Sequence, residues 1–329
     1  MRGRWGLLCV LLGVSGCVTA RTATPVFAPT GAASPPCEQI CALPGPSSTS
    51  SLSPVPPVAT ATPTPLTECE VEASDYCMED GFFVLRAPLA VDEWRVDPTY
   101  RYGSTQEGTR VPHHGVEFPY PAGTPVLAAA DGVVWYAGDD GRTLFAPWPN
   151  FYGNLVVLEH TLPAAPYARL YTLYAHLSRV DVHAGQTVRA GEPIGQIGMS
   201  GSAVGAHLHF EVRLAAGDYF STLNPELYLQ PLAGRGALAL RVVNAAGAFV
   251  AVSPHIQLDP AAGGPPLALD VEPYASETIH PHSYWQENVG LNNLPAGRYR
   301  LTVIYRGKLY ERWVRVEAGK LTLVSWRLE

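Results

Sequence analysis

The 329-residue sequence predicts an all-β protein, with an antiparallel β-sheet domain and a small β-sandwich behind a disordered N-terminal tether. Three observations predict it. From about Gly81 to Pro231, short runs rich in β-branched and aromatic residues, such as NLVVLEH and RLYTLYAHLS, alternate with Gly, Asp, Asn and Pro signals, and no stretch sustains a helical period. After Gly234, ALALRVVN and the runs broken by Arg306-Gly307-Lys308 and Glu317-Ala318-Gly319-Lys320 have the spacing of a sandwich. Between Glu38 and Glu68 there is no charged residue, and Ala42 to Thr67 is mostly Pro, Ser, Thr and Ala, which cannot bury a core.

The chain divides into a signal segment at 1–17, a tether at 18–67, a sheet domain with an N-terminal extension at 68–232, and a sandwich at 233–329. Arg2 and Arg4 precede an apolar run too short to span a bilayer as a mature helix, which predicts export. Val14-Ser15-Gly16-Cys17 is similar to the lipobox of bacterial lipoproteins and implies acylation of Cys17, a membrane anchor facing the cell wall or periplasm. Cleavage after Val18-Thr19-Ala20, releasing a secreted protein, is the competing reading. In an exported chain Cys37, Cys41, Cys69 and Cys77 predict disulfides of open connectivity; a zinc ribbon is the alternative. A net charge of −7 with no later Lys/Arg run excludes nucleic acid as a partner. Oligomeric state leaves no mark on the sequence.

Chemistry concentrates in GAHLHFEVRL. On a strand, Leu208, Phe210, Val212 and Leu214 share one face, while His207, His209 and Glu211 share the other. Further candidates lie upstream. His113 and Glu117 flank Gly115, where the backbone can bend to bring them together, and His176 ends a strand with Thr172 and Tyr174 expected on its face. Three ligands of imidazole and carboxylate type with an open fourth position make a catalytic zinc site. His114 is expected to point away, His160 to hydrogen-bond at a strand end, His183 to lie in a turn, and His280 and His282 to be structural or solvated.

The order H-x-G-x-[acid]-F, GTPV-x-A-x-x-DG-x-V, YGN-x-V, YAHLS, V-x-x-G-x-x-V-x-x-G-x-x-IG-x-x-G, HLHFEVR and NPELYL resembles the M23 (lysostaphin/LytM-type) metallopeptidases from about Tyr102 to Leu229. The resemblance implies a LytM-like antiparallel sheet, a zinc cofactor and hydrolysis of peptide cross-links in peptidoglycan. By position it implies metal ligation by His113, Glu117 and His209, and non-ligand catalytic roles for His176 and His207. Glu117 departs from the usual Asp but keeps a carboxylate oxygen. Some domains of this type have lost their ligands and act as peptidoglycan-binding modules or activators of other hydrolases. Here all five positions hold competent residue types, which favours the enzyme. The run from Asn292, with LPAGRYRLTV, resembles transthyretin-like and carboxypeptidase-regulatory-like sandwiches, implying a binding or spacer role. Because the motif blocks close near Leu229, a chain ending near Ala233 is expected to fold.

Overall fold

The structure is a computed structural model that describes residues 76–162, 167–262, 266–274 and 276–329. The signal segment with Cys17, the tether, and Cys37, Cys41 and Cys69 lie outside these residues, while Cys77 is disulfide-bonded. Among the described residues there is no α-helix, only strands and two single 3-10 turns, so the all-β expectation holds.

The strands up to residue 223 are β1 (Cys77–Glu79), β2 (Val116–Phe118), β3 (Pro125–Leu127), β4 (Gly132–Asp139), β5 (Asn154–Thr161), β6 (Arg169–Ala175), β7 (Leu177–Val180), β8 (Thr187–Val188), β9 (Pro193–Ile197), β10 (Leu208–Arg213) and β11 (Thr222–Leu223). Beyond them come β12 (Arg235–Asn244), β13 (His255–Leu258), β14 (Ala268–Asp270), β15 (Val289–Pro295), β16 (Gly297–Tyr305), β17 (Lys308–Val316) and β18 (Leu321–Leu328). One sheet runs β11-β10-β6-β5-β4-β8, with β2 also paired to β10, and a smaller one runs β3-β9-β7. The sandwich stacks β1-β18-β12-β15 on β14-β13-β16-β17. Among the named strands, β12 with β18 is the parallel pairing and the others are antiparallel; an isolated bridge between Leu85 and Leu229 is also parallel.

The central strands explain themselves by their sequences. In β5, Val156 and Leu158 enter one core with Tyr174 and Phe210, while Leu155 and Val157 enter another with Tyr152 and Leu173. A strand buried on both faces must read as a continuous apolar run, and NLVVL does.

β12 does the same across the 232/233 boundary. Ala237 and Ala239 belong to the cluster that holds Val116, Phe118, Leu208 and Phe210. Leu238, Leu240 and Val242 point the other way, into the sandwich core with Tyr299, Leu301 and Val324. Tyr274, Ile279, Leu321 and Leu323 join the first cluster as well. The sheet domain and the sandwich therefore share a core, and the extension strand β1 is hydrogen-bonded to β18, the last strand among the described residues. The segment NPELYL is the polar side of that seam. Asn224 donates to the Tyr274 hydroxyl (2.6 Å) and the Gly290 carbonyl (3.1 Å), and Glu226 accepts both from Arg101 and from the Asn292 amide (2.9 Å).

Candidate metal centre and active site

Strand β10 divides by alternation as its sequence predicts. Leu208, Phe210 and Val212 are fully buried in the core, and His209, Glu211 and Arg213 face the other way. Leu214 lies past the end of the strand and is exposed, against the expectation that it continues the apolar face. On either side, β10 pairs with β2, setting Glu117 opposite His209, and with β6, setting Ala175 opposite His209.

His113 reaches the same place because the chain bends at His114 and Gly115 before β2 begins. The bend closes His113 Nε2 to 3.1 Å from Glu117 Oε1. Gly115 is needed there for a close approach, since a Cβ would lie 2.5 Å from the Phe210 carbonyl oxygen and 2.9 Å from Glu211 Cγ. His114 turns away, as expected, its Nδ1 3.0 Å from the Thr222 hydroxyl.

His113, Glu117 and His209 thus form a triangle. The edges are 3.1 Å from Glu117 Oε1 to each ring and 3.2 Å from His113 Nε2 to His209 Nδ1. The remaining ring nitrogens assign the tautomers. His113 Nδ1 is 2.9 Å from the Tyr100 carbonyl, so it carries a proton and donates. His209 Nε2 is 2.9 Å from Glu211 Oε1 and donates to it. In the neutral tautomers both nitrogens inside the triangle are lone pairs facing a carboxylate oxygen, three acceptors that draw in a positive charge, whether a proton or a metal ion. Such an arrangement calls for a cation. Tetrahedral zinc, with bonds of about 2.0–2.1 Å, sets its ligand atoms about 3.3 Å apart, close to the edges observed. The three side chains could hold a metal ion.

Electrostatics say the same. Burial pushes the His209 ring down, but Glu117 and Glu211 outweigh it and raise its pKa to about 9, because a proton is the simplest positive charge the triangle can take. Burial also opposes the charge of Glu117, yet His209, His113 and His207 around it hold its carboxyl well below the usual range.

Behind the triangle is a buried charge network that the sequence reading did not assign. Glu211 Oε1 accepts from His209 and from the Tyr152 hydroxyl, and Oε2 accepts from Arg213 Nε at 2.5 Å. Arg213 is fully buried and also donates to the Tyr152 oxygen (3.0 Å) and the Phe145 carbonyl (3.0 Å). A carboxylate fixing the outer nitrogen of a ligating histidine sets its tautomer and orientation. Alternation from His209 to Glu211 to Arg213 was the available signal. Tyr100 was also missed: its ring stacks on His113 at 4.0 Å and 10°.

His176 and His207 flank the triangle, their ring centroids 4.8 Å apart. His207 Nδ1 is 2.8 Å from the Gly205 carbonyl, and its Nε2 is 2.8 Å from Glu117 Oε2, out of line for a hydrogen bond. His176 Nδ1 is 2.8 Å from the Ser200 carbonyl, and burial, then the neighbouring His209 charge, push its pKa down to about 4. The shared face of Thr172, Tyr174 and His176 is corrected. Thr172 and Tyr174 pair with Val212 and Phe210 and lie on the opposite, core face. β6 ends at Ala175, and His176 has φ of +61°, a left-handed residue that breaks the alternation and turns its ring to the site.

The remaining histidines stay out. His160 bonds the Asp131 carbonyl and the Thr172 hydroxyl, His183 and His280 are exposed, and His282 is buried among Phe82, Tyr167 and Trp285.

Comparison with known proteins bears on these residues. The DD-carboxypeptidase/endopeptidase Mpg of Neisseria meningitidis is 40% identical over 102 residues, which are 31% of this chain and 20% of that protein. The peptidoglycan DD-endopeptidase ShyB of Vibrio cholerae is 32% identical over 154 residues, covering 43% of this chain and 33% of its own. The chain thus spans about a fifth to a third of the length of these relatives. A solved zinc-containing peptidase from Vibrio cholerae is 30% identical, covers 40% of this chain and 36% of its own, and has a TM-score of 0.29. The family model described as Peptidase family M23 matches residues 111–221, which include His113, Glu117, His176, His207 and His209. Residues 111–221 of this chain are a peptidase family M23 domain.

Proposed function

We propose that the chain is a zinc-dependent endopeptidase that hydrolyses peptide cross-links of bacterial peptidoglycan. The observation that carries the proposal is the convergence of three ligand atoms, His113 Nε2, Glu117 Oε1 and His209 Nδ1, with the outer nitrogens of both rings already bonded elsewhere. These residues hold the zinc, and Glu117 serves as well as the more usual Asp because its Oε1 already closes the triangle. Bound there, zinc supplies polarisation of the scissile carbonyl and a lower pKa for the attacking water.

The chain's own residues do the rest. His176 and His207 each commit Nδ1 to a backbone carbonyl and turn Nε2 toward the site, so each can accept the proton of the attacking water and return it to the leaving amine. A proton on His207 sits beside the Glu117 carboxylate. The substrate class is supported by the relatives named DD-endopeptidase. Acting on the wall requires export. We assign the anchor to acylated Cys17, outside the described residues, and Cys17→Ser would then shift the protein out of the membrane fraction.

The test is mass spectrometry of purified peptidoglycan after incubation with the protein, with and without chelator, beside metal analysis of two variants. His209→Ala loses zinc and cleavage together, whereas His207→Ala keeps about one zinc per chain while turnover falls roughly 10²-fold or more. A wild-type chain that neither binds zinc nor cuts wall peptides refutes the enzyme and leaves a peptidoglycan-binding or activator module.

A further inference from the structure

The loop that carries His113 is held from the far side of the chain. Within residues 98–113, Gly103 N donates to the His113 carbonyl (2.8 Å), and His113 N donates to the Ser104 carbonyl (3.0 Å). The backbone of Gly103 and Ser104 is therefore the strand partner of His113, as Tyr100 is the partner of its ring. The sheet of β10 reaches this loop at Tyr102, whose hydroxyl donates to the Thr222 carbonyl in β11 (2.8 Å), and among the described residues no hydrogen bond from that sheet reaches Ser104 or Thr105. Glu272, in the sandwich just past β14, does: its carboxylate accepts from the Ser104 hydroxyl (2.7 Å), the Thr105 amide (2.9 Å) and the Thr105 hydroxyl. Two residues on, Tyr274 stands edge-on to Tyr102 at 5.1 Å and 89°, and leaves no room for a side chain at Gly103, where a Cβ would lie 2.6 Å from the ring.

We infer that Glu272, on the sandwich, is a positioning residue for the metal centre, fixing His113 through the Ser104–Thr105 backbone. The inference rests on the zinc reading above. It gives the C-terminal domain a part in the site that a spacer would not have. Burial pushes the Glu272 carboxyl up, but the bonds from Ser104 and Thr105 outweigh it and hold it below the ordinary value, so the clip is made to the charged form. The contacts are only partly buried and can be removed without opening the shared core.

The test uses the full chain and two readouts, zinc affinity by competition with a chromophoric chelator and amide hydrogen exchange. Glu272→Ala is expected to weaken zinc several-fold, below the roughly 10- to 100-fold of a group bonded directly to a ligand. It should also speed exchange at the Thr105, Arg110 and His113 amides, which bond to Glu272, the Thr105 carbonyl and the Ser104 carbonyl. Glu272→Gln should restore most of both, since an amide can accept from Ser104 and Thr105 N and donate to the Thr105 hydroxyl. Ser104→Ala, which removes one of the three bonds, should fall between them. Zinc affinity and exchange in Glu272→Ala that match a zinc-binding wild type overturn this inference while leaving the metal site intact. A wild type that binds no zinc overturns the metal site itself.

Discussion

Glu211→Gln is a small change with a large expected effect, at a residue outside the three candidate ligands. The carboxylate serves three donors: the His209 ring, the Tyr152 hydroxyl and the Arg213 guanidinium. Glutamine has one acceptor oxygen and one donor nitrogen for the same place. If the oxygen faces Arg213, the amide N–H faces His209 Nε2, which must become an acceptor; the ring proton then moves to Nδ1, the atom offered to the metal. If the oxygen faces His209, the amide N–H abuts a buried guanidinium. The first placement costs the ring its lone pair toward the triangle and the second leaves a buried donor opposed, at about 1–3 kcal/mol. Both Glu211 and Arg213 are fully buried, so solvent does not soften the cost. At about 1.4 kcal/mol per tenfold, zinc binds roughly 5- to 150-fold more weakly. Chelator competition at fixed pH measures this, with circular dichroism to show that the fold survives. A folded Glu211→Gln protein within about twofold of wild-type zinc affinity refutes the tautomer argument.

Other substitutions test other links of the chain. His176→Gly and His176→Ala both remove the ring and should both cut turnover. The glycine variant should melt higher, by the equivalent of about 1 kcal/mol, because φ of +61° is strained for alanine; equal melting points count against that strain. Burial raises the pKa of Glu287 to about 8, so its contribution to stability is full below about pH 4.5 and is lost as pH rises through 8. Glu287→Gln should flatten the fall in melting temperature between pH 5 and 9, and an unchanged profile shows that another group sets it. A chain ending at Ala233 uncovers the core that Ala237, Ala239, Leu321 and Leu323 complete, and should aggregate or unfold; a cooperative melt from that truncated chain would show that the sheet domain closes without them.

The sequence carried the site in two forms, and they were not equally legible. Alternation along HLHFEVR separated the core face from the reactive face, and the register of β10 with β2 then brought Glu117 opposite His209. The HPH decoy at 280–282 was legible too, since it lacked an acidic neighbour block. What alternation could not show was its own failure at His176, where one left-handed residue reverses the facing of the ring. Nor could a local pattern show that Arg213 is buried, because an arginine at a strand end ordinarily reaches solvent and only the depth of Glu211 draws it in. The shared core was written in ALALRVV, whose two apolar faces announce burial on both sides. Which cores they enter depends on residues far away in the chain. β1 was invisible for the plainest reason, being three residues of mixed character, CME, that pair only because β18 offers an edge.

The β1–β18 pairing also sets a timetable for folding. Cys77 meets Leu323, so the contact that completes this sheet closes a loop containing nearly all the described residues, and the parallel partner β12 waits on the same strand. Loop entropy rises slowly with length, but non-local pairings of this kind slow the search for the native state. Chains of several domains usually mature from the N-terminal end as each piece emerges. Here the piece that would mature first lacks core residues supplied by β12 and β18, which are made after it. The kinetic consequence is a unit that stays incomplete, with apolar surface open, until β18 arrives, and whose His113 loop waits for Glu272 to emerge before it is anchored.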